Sequence, residues 1–509
     1  MECNFADRLV INYIPSQEET AFIQSDLAAK SQELALLENS MILRIRELCQ
    51  LSAQRVRLRD YIHSHAALIT TPRRLPEDII REIFVACLPG AAPQMSPREA
   101  PLLLCRICSG WRKIALATPA LWASLEVSLP FLLVREPVVA PALVQWLRRS
   151  GTCPLSLKVS DLYQGRRIAG VDTSQYGAIL EHLRPFTDRW SHLEVDRYAV
   201  AMGIADMRIT APMLSSIYFT GAFASFKEFV RSLTAPNLRA VTFCPEHTRQ
   251  VDDLVLDIPL PWGQLTHLDF SRDGGAQGIS LLTVLQIFRR CTRLVSIHLQ
   301  SMPTSGGLPA ELVTMRFLET FVITIPYILQ PQAIRDFLDQ VSMPSLRRFD
   351  VATSMSRTLE SCRFLMGLGT NSPGLLEVRL HLRTLTRRTF VETLRGLPSL
   401  VKLTVSGDHF CEFQEEEDDD GADLHPTDFI LAALTTNDTT ILCPALRELQ
   451  VINRDVSATV PKARLLTFFR ACVDMRGSFR RLQIGLFREN ARDVPQEEEI
   501  RPFFVPSWE

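Results

Sequence analysis

The chain has 509 residues, 46% of them apolar, 22% charged and 8% aromatic, with 55 Lys+Arg against 57 Asp+Glu for a net charge of −2. Those proportions exclude a polybasic nucleic-acid binder, which needs surplus cations to neutralise phosphates. They also exclude wholesale disorder, which goes with low hydrophobicity and high net charge. At ~150 residues per domain the length suggests about three domains, so any functional signal has to come from order along the chain.

Residues 1–17 have no basic stretch leading into an apolar one and read as a flexible N-terminus rather than a secretory signal. No run reaches the ~18 charge-free apolar residues of a membrane span. The nearest, Leu121 to Leu147, is interrupted by Glu126, Arg135, Glu136 and three prolines. The 12 cysteines are irregularly spaced and read as reduced thiols of an intracellular protein, in cytoplasm or nucleus. The phosphate-cradling GxxxxGK[ST] loop, the GxSxG elbow and HExxH are all absent. The histidines show no ligand spacing, and His63 and His65 lie two apart on a helical stretch, where side chains diverge. Cys105-x-x-Cys108 lacks the second pair that a zinc site needs. The expectation is a non-enzyme with no metal and no cofactor, and without a nucleic-acid or membrane partner.

Residues 18–70 contain no Pro or Gly and are rich in good helix formers. A heptad reading puts Leu27, Leu34, Met41, Leu48, Arg55 and Ile62 at a, and Lys30, Leu37, Arg44, Leu51 and Leu58 at d. This predicts one long amphipathic helix. It lies either against its own protein or, through residues 18–68, in a coiled-coil homodimer.

Residues 71–127 open with Leu75-Pro76-Glu77-Asp78, where a Pro followed by acids suits a first helical turn. Ile79, Ile83 and Phe84 fall on one face, and Leu88-Pro89-Gly90 ends that helix. A second helix is expected from Ser96-Pro97, with Leu103, Leu104, Ile107, Cys108 and Trp111 as its stripe. Thr118-Pro119 then starts a short third helix with Leu121 and Trp122.

The anchors Leu75-Pro76-x-x-Ile79-x-x-x-Ile83-Phe84, Ile107-Cys108-x-x-Trp111-Arg112-x-Ile114-Ala115 and Leu121-Trp122 resemble the F-box, in the form common in large fungal F-box families. The resemblance implies a three-helix domain that docks a Skp-type adaptor and, through it, the cullin scaffold of an SCF-type ubiquitin ligase. By position, Leu75, Pro76, Ile79, Ile83, Phe84, Ile107, Cys108 and Trp111 would face the adaptor or support the face that does. Two departures are the long inter-helix loop and Ser109-Gly110, where Gly in a helix costs about 1 kcal/mol.

After a linker at 128–152, residues 153–490 repeat an apolar-x-x-apolar-x-apolar unit. The units start at Trp190, Leu214, Leu238, Leu265, Leu294, Leu318, Leu346, Leu375, Leu400, Leu446 and Phe479. Six carry Pro two residues ahead, at 212, 236, 344, 373, 398 and 444, read as a helix stop before an extended stretch. Helical stripes lie between units: Phe226, Phe229, Val230 and Leu233; Ile334, Phe337, Leu338 and Val341; and Leu465, Leu466, Phe468, Phe469 and Cys472. A strand and a helix every 24 to 29 residues, for most intervals, predict an irregular leucine-rich-repeat solenoid of ten or eleven parallel strands. A compact α/β domain would not explain that spacing. The Asn that normally follows such strands is missing.

An acidic insertion, 411–424, interrupts the solenoid with Glu415 to Asp420, and an apolar tail at 491–509 would cap its end. The fold class is therefore α/β, with a long helix, a three-helix unit and a solenoid with a parallel sheet. The function that this order predicts is that of a substrate receptor, whose adaptor sits on the F-box and whose unidentified protein target sits on the strands. The alternative is a repeat scaffold outside any ligase. Target contacts are expected at the position between the second and third anchors, outward on the concave side: Glu194, Tyr218, Thr242, Asp269, His298, Arg379 and Thr404.

Overall fold

The structure is a computed structural model. It describes residues 13–66, 75–134, 136–160, 177, 180–196, 208–245, 255–270, 278–302, 311–328, 336–356, 369, 372–382, 385–407, 426–435, 442–452, 468 and 481–485. The acidic insertion, the C-terminal tail, the unit start at Phe479 and the third helical stripe apart from Phe468 lie outside them. Two compact units result, Met1–Glu82 and Ile83–Glu509.

The first unit is built on α1, Gln17–Ala66, a 50-residue helix with no buried residue. Its start is closed by a reciprocal pair: the Glu19 N–H donates to Ser16 Oγ at 3.2 Å and the Ser16 N–H to Glu19 Oε2 at 2.8 Å. Helix α2, Glu77–Ala86, follows Pro76 and carries Glu77 and Asp78 in its first turn, as the dipole favours.

In the second unit, no long second helix forms from Ser96. Turns lead to a short 3-10 segment at Leu104–Arg106, and α3 begins only at Ser109 and runs to Leu116. The stripe Leu103 to Trp111 is thus split between turns and a helix start. Cys108 is the N-cap, its Sγ accepting the Trp111 N–H at 3.4 Å. Ser109 and Gly110 are therefore the first helical residues, where N–H groups are unpaired anyway and glycine costs less than in a helix interior. A 3-10 turn at Pro119–Trp122 replaces the expected third helix.

The segment expected as a linker is structured. Strand β1, Ser124–Ser128, is followed by α4, Leu129–Val134, and α5, Glu136–Arg149, then by β2, Leu155–Ser160. Helix α5 ends into Gly151 at φ +58°, a conformation that glycine adopts without strain. The Arg189 guanidinium gathers the carbonyls exposed there, donating to Leu147 O at 3.0 Å, Cys153 O at 3.2 Å and Gly151 O.

The sheet continues with β3 (Trp190–Asp196) and β4 (Ser216–Gly221), α6 (Phe223–Ser232), β5 (Ala240–Pro245) and β6 (His267–Phe270). Then come α7 (Leu281–Arg290), β7 (Ser296–Met302), β8 (Thr320–Ile328), β9 (Arg348–Ser356), β10 (Glu377–His381), α8 (Arg387–Arg395) and β11 (Lys402–Ser406). Helix α9 (Pro426–Ala433), β12 (Glu448–Ile452) and β13 (Arg481–Gly485) complete it. All thirteen strands hydrogen-bond in chain order in one sheet, and a two-residue strand, Ile279–Ser280, pairs on β7 to make fourteen. The pairing is parallel throughout, the register consistent with a repeat solenoid.

All eleven sequence units supply strands, and β1 and β2 precede them. Trp122-Ala-Ser-Leu125-Glu-Val127 obeys the same rule but was absorbed into the resemblance described above. In β2, Pro154 stands where the first anchor should be, which hides that unit.

The turn before each strand explains the prolines. The first anchor's N–H bonds to the carbonyl three residues earlier, as in Leu214 to Ala211 at 3.1 Å, Leu346 to Met343 at 3.1 Å and Leu375 to Ser372 at 3.2 Å. Proline thus occupies the second position of a four-residue turn, which its fixed φ suits. It does not merely stop a helix. The residue just before the anchor bonds back along the stack. Asn237, Gln264, Ser345 and Ser399, each just before a first anchor, donate to the carbonyls of Pro212, Pro236, Arg316 and Pro373 one repeat back, at 2.7, 2.9, 2.6 and 3.1 Å.

The core is the inner row of anchors and the helix faces against it. Phe243 is fully buried, with ring centroids at 4.5 Å from Phe223, 4.7 Å from Phe226 and 5.8 Å from Phe219. Stripe residues Phe226, Phe229 and Val230 lie buried on α6, and Phe337, Leu338 and Val341 are buried too; Ile334 lies outside the described residues. Phe243→Ala is expected to cost about 3–5 kcal/mol, through lost transfer energy and a cavity that the surrounding aromatic rings cannot collapse into. Urea unfolding followed by circular dichroism measures it, and a loss under 1 kcal/mol would contradict this packing.

Candidate functional site

Two surfaces carry the sequence-derived candidates. On α2, Ile79 and Ile83 lie one turn apart and are exposed (44% and 41%), with Arg81 paired to Glu77 at 3.2 Å. Leu75 is half-buried and Pro76 exposed ahead of them. Phe84 is wholly buried, its ring centroid 4.9 Å from that of the half-buried Trp111. Ile107 (55%) and Cys108 are exposed at the start of α3. Among the adaptor candidates, Phe84 is thus a support, whereas Ile83 and Ile107 offer apolar side chains to solvent. Trp122 holds α3 to the solenoid: its Nε1 donates to Ala115 O at 2.9 Å, and its ring lies 4.9 Å from Trp146 under the Arg149 guanidinium at 4.7 Å.

The second surface is the outward row of the sheet. Register pairing places Glu126, Lys158, Glu194, Tyr218, Thr242, Asp269, His298, Val322, Asp350, Arg379, Thr404, Gln450 and Gln483 side by side across all thirteen strands. All seven predicted target positions lie in this one row. Thr404 departs from the expectation of exposure. It is 8% exposed, its short side chain covered beside Gln450, whose Oε1 lies 3.5 Å from its hydroxyl. The same rule applied to the unit at Leu346 gives Asp350.

The first strands of that row form one side of a groove of about 450 Å3. Its other side is the loop Leu88–Pro93, which follows α2. That loop is fastened to β1: the Glu126 N–H donates to Pro93 O at 2.9 Å, and Gln94 Nε2 donates to Glu126 Oε2 at 3.0 Å. Lys158, Glu194, Tyr218 and Thr242 line the sheet side, and Lys158 Nζ meets Glu194 Oε1 at 2.8 Å. Small residues beside them, Ser156, Ser216 and Ala240, leave the space open.

Further along the row, Asp350 is 5% exposed between Arg379 at 3.8 Å and Arg348 at 3.9 Å. Burial pushes its carboxyl above the ordinary value, against the pull of Arg379, Arg348 and His298. Asp269 Oδ2 lies 3.5 Å from His298 Nδ1. Among the described residues no three His, Cys, Asp or Glu side chains come together as metal ligands, and no helix is long and apolar enough to cross a membrane.

No protein-family model matches this chain, and no curated protein matches it. Among solved structures, the crystal structure of the Rad7 and Elc1 complex in yeast is similar at 15% identity and a TM-score of 0.34, over 69% of this chain and 93% of that one. At that distance the likeness carries no argument about fold or role.

Two outcomes follow from the buried groups. A carboxyl with a raised folded pKa binds its proton more tightly folded than unfolded, so its contribution to stability declines as pH rises through that range. Asp350→Asn removes this penalty and is expected to raise the thermal midpoint at pH 7.5, the gain shrinking towards pH 4; a lower midpoint at both would contradict it. Burial pushes the Cys291 thiol up to about 12. Iodoacetamide on the native protein should label the exposed Cys49, Cys87 and Cys108, and Cys291 only after denaturation, as read by peptide mass spectrometry.

Proposed function

We propose that this chain is the substrate-recognition subunit of an SCF-type cullin–RING ubiquitin ligase. It does no chemistry of its own. A Skp-type adaptor docks on the F-box-like segment and links it to the cullin, while the outward row of the sheet holds a protein target. The gain is effective concentration: a held target meets the ubiquitin-loaded enzyme far more often than a free one.

The observation that carries the target half of this reading is the groove beneath Leu88–Pro93. Three of the predicted contact positions, Glu194, Tyr218 and Thr242, line it together. Its charged pair and exposed tyrosine suit a polar polypeptide segment with an aromatic or aliphatic anchor. The adaptor half is supported by Ile83 and Ile107, large apolar side chains left in water beside a buried Phe84–Trp111 contact. A repeat scaffold outside any ligase shares the target surface and differs only in lacking the adaptor.

A pairwise titration of the full chain with a Skp-type adaptor separates the two readings. Binding is expected, with Ile83→Asp and Ile107→Asp together weakening it at least tenfold. Neither position lies in the core, so the melting curve should stay put. Absence of binding by the unsubstituted chain would leave the scaffold reading. Target capture is expected to be lost in Glu194→Lys with Tyr218→Ala while adaptor affinity is unchanged.

A further inference from the structure

Helix α1 is unaccounted for by either surface. At 1.5 Å per residue its 50 residues extend about 75 Å, with none buried. A single helix in water gains little from its own hydrogen bonds and relies on packing of an apolar face. Here the seam positions of the heptad pattern are bare: Leu27, Leu34, Leu37, Leu48, Leu51 and Leu58 are each 55–65% exposed, and Leu36, Ile42, Leu43, Ile45 and Val56 off that seam are exposed as well. So large an apolar strip in water marks an interface.

Charge identifies the occupant. From Gln17 to Met41 the helix carries five acids against Lys30, a net of −4; from Ile42 to Ala66 it carries five arginines against Glu47 and Asp60, a net of +3. The three cations that interrupt the seam, Lys30, Arg44 and Arg55, would stack on their own copies in a parallel in-register pair, and each half would repel its double. Reversing one helix removes both conflicts. With a positions facing d positions and the helices crossing near residue 39, Leu27 meets Leu51 and Met41 meets Leu37. Lys30 then falls beside the turn holding Glu47, Arg44 beside Glu33 and Glu38, and Arg55 beside Asp26.

We propose that α1 pairs with the α1 of a second copy of this chain as an antiparallel coiled coil. This does not depend on the adaptor reading.

The test uses the full chain. Light scattering across the micromolar range is expected to give twice 57.5 kDa, falling to 57.5 kDa in the variant Leu37→Asp/Leu51→Asp with the solenoid's melting curve unchanged. For orientation, Leu27→Cys and Leu51→Cys variants are mildly oxidised, separately and mixed, and linked peptides are identified by mass spectrometry. The expected link joins residue 27 of one copy to residue 51 of the other, in the mixture alone. A monomer, a dimer that survives the aspartates, a dimer lacking the mixed link, or links of either variant to itself would each overturn the proposal.

Discussion

A strand with two inward apolar side chains cannot bury them alone; the next strand must lie beside it in the same register. That constraint shapes the whole second unit. Leu193, Ile217, Val241, Leu268, Ile297, Phe321, Phe349, Val378, Leu403 and Leu449 are register neighbours, each at most about 2% exposed. At about 1.5–3 kcal/mol per buried side chain, each repeat gains a sizeable favourable term from its member of this row. A one-residue slip would turn it to solvent and bring Asp350 and Arg379 inward, so register is fixed at the same stroke. The outward row follows as a by-product, since whatever aligns the inner anchors aligns the residue between them.

Two further devices narrow the register. One is the turn side chain that reaches back to the preceding repeat, from Asn237, Gln264, Ser345 or Ser399. Each bond also satisfies a carbonyl that the turn would otherwise leave to water. The other is charge. Arg348, Glu377, Lys402 and Glu448 are consecutive neighbours across four strands and alternate in sign. Opposite charges side by side on a sheet are mildly stabilising and like charges are penalised, so shuffling these repeats would be disfavoured.

The repeat was legible because its period shows wherever three anchors and a proline recur. Where one anchor fails, as at Pro154, the unit vanishes from the sequence though its strand remains. Where a segment fits two patterns, as Trp122 to Val127 does, the stronger resemblance takes it. The proline was found with the wrong role, because a helix stop and the second position of a turn both prefer it. The broken second helix could not be read either: a stripe at helical spacing does not reveal that turns carry its first half. The outward row was readable, but burial within it was not. Thr404 and Asp350 are covered by neighbours 46 and 29 residues away in sequence, Gln450 and Arg379.

The groove beneath Leu88–Pro93 comes from tertiary contact alone. Its loop looked like mere excess length between two helices. In the fold, that length lets the loop cross to β1, where Pro93 and Gln94 bond to Glu126. A shorter loop could join α2 to α3 but could not cover the sheet. The loop therefore leads out of the helix that carries Ile83 and walls the space lined by Glu194 and Tyr218. Those hydrogen bonds to the first strand fix where the loop crosses, so the wall of the groove is set by the length of chain between α2 and α3.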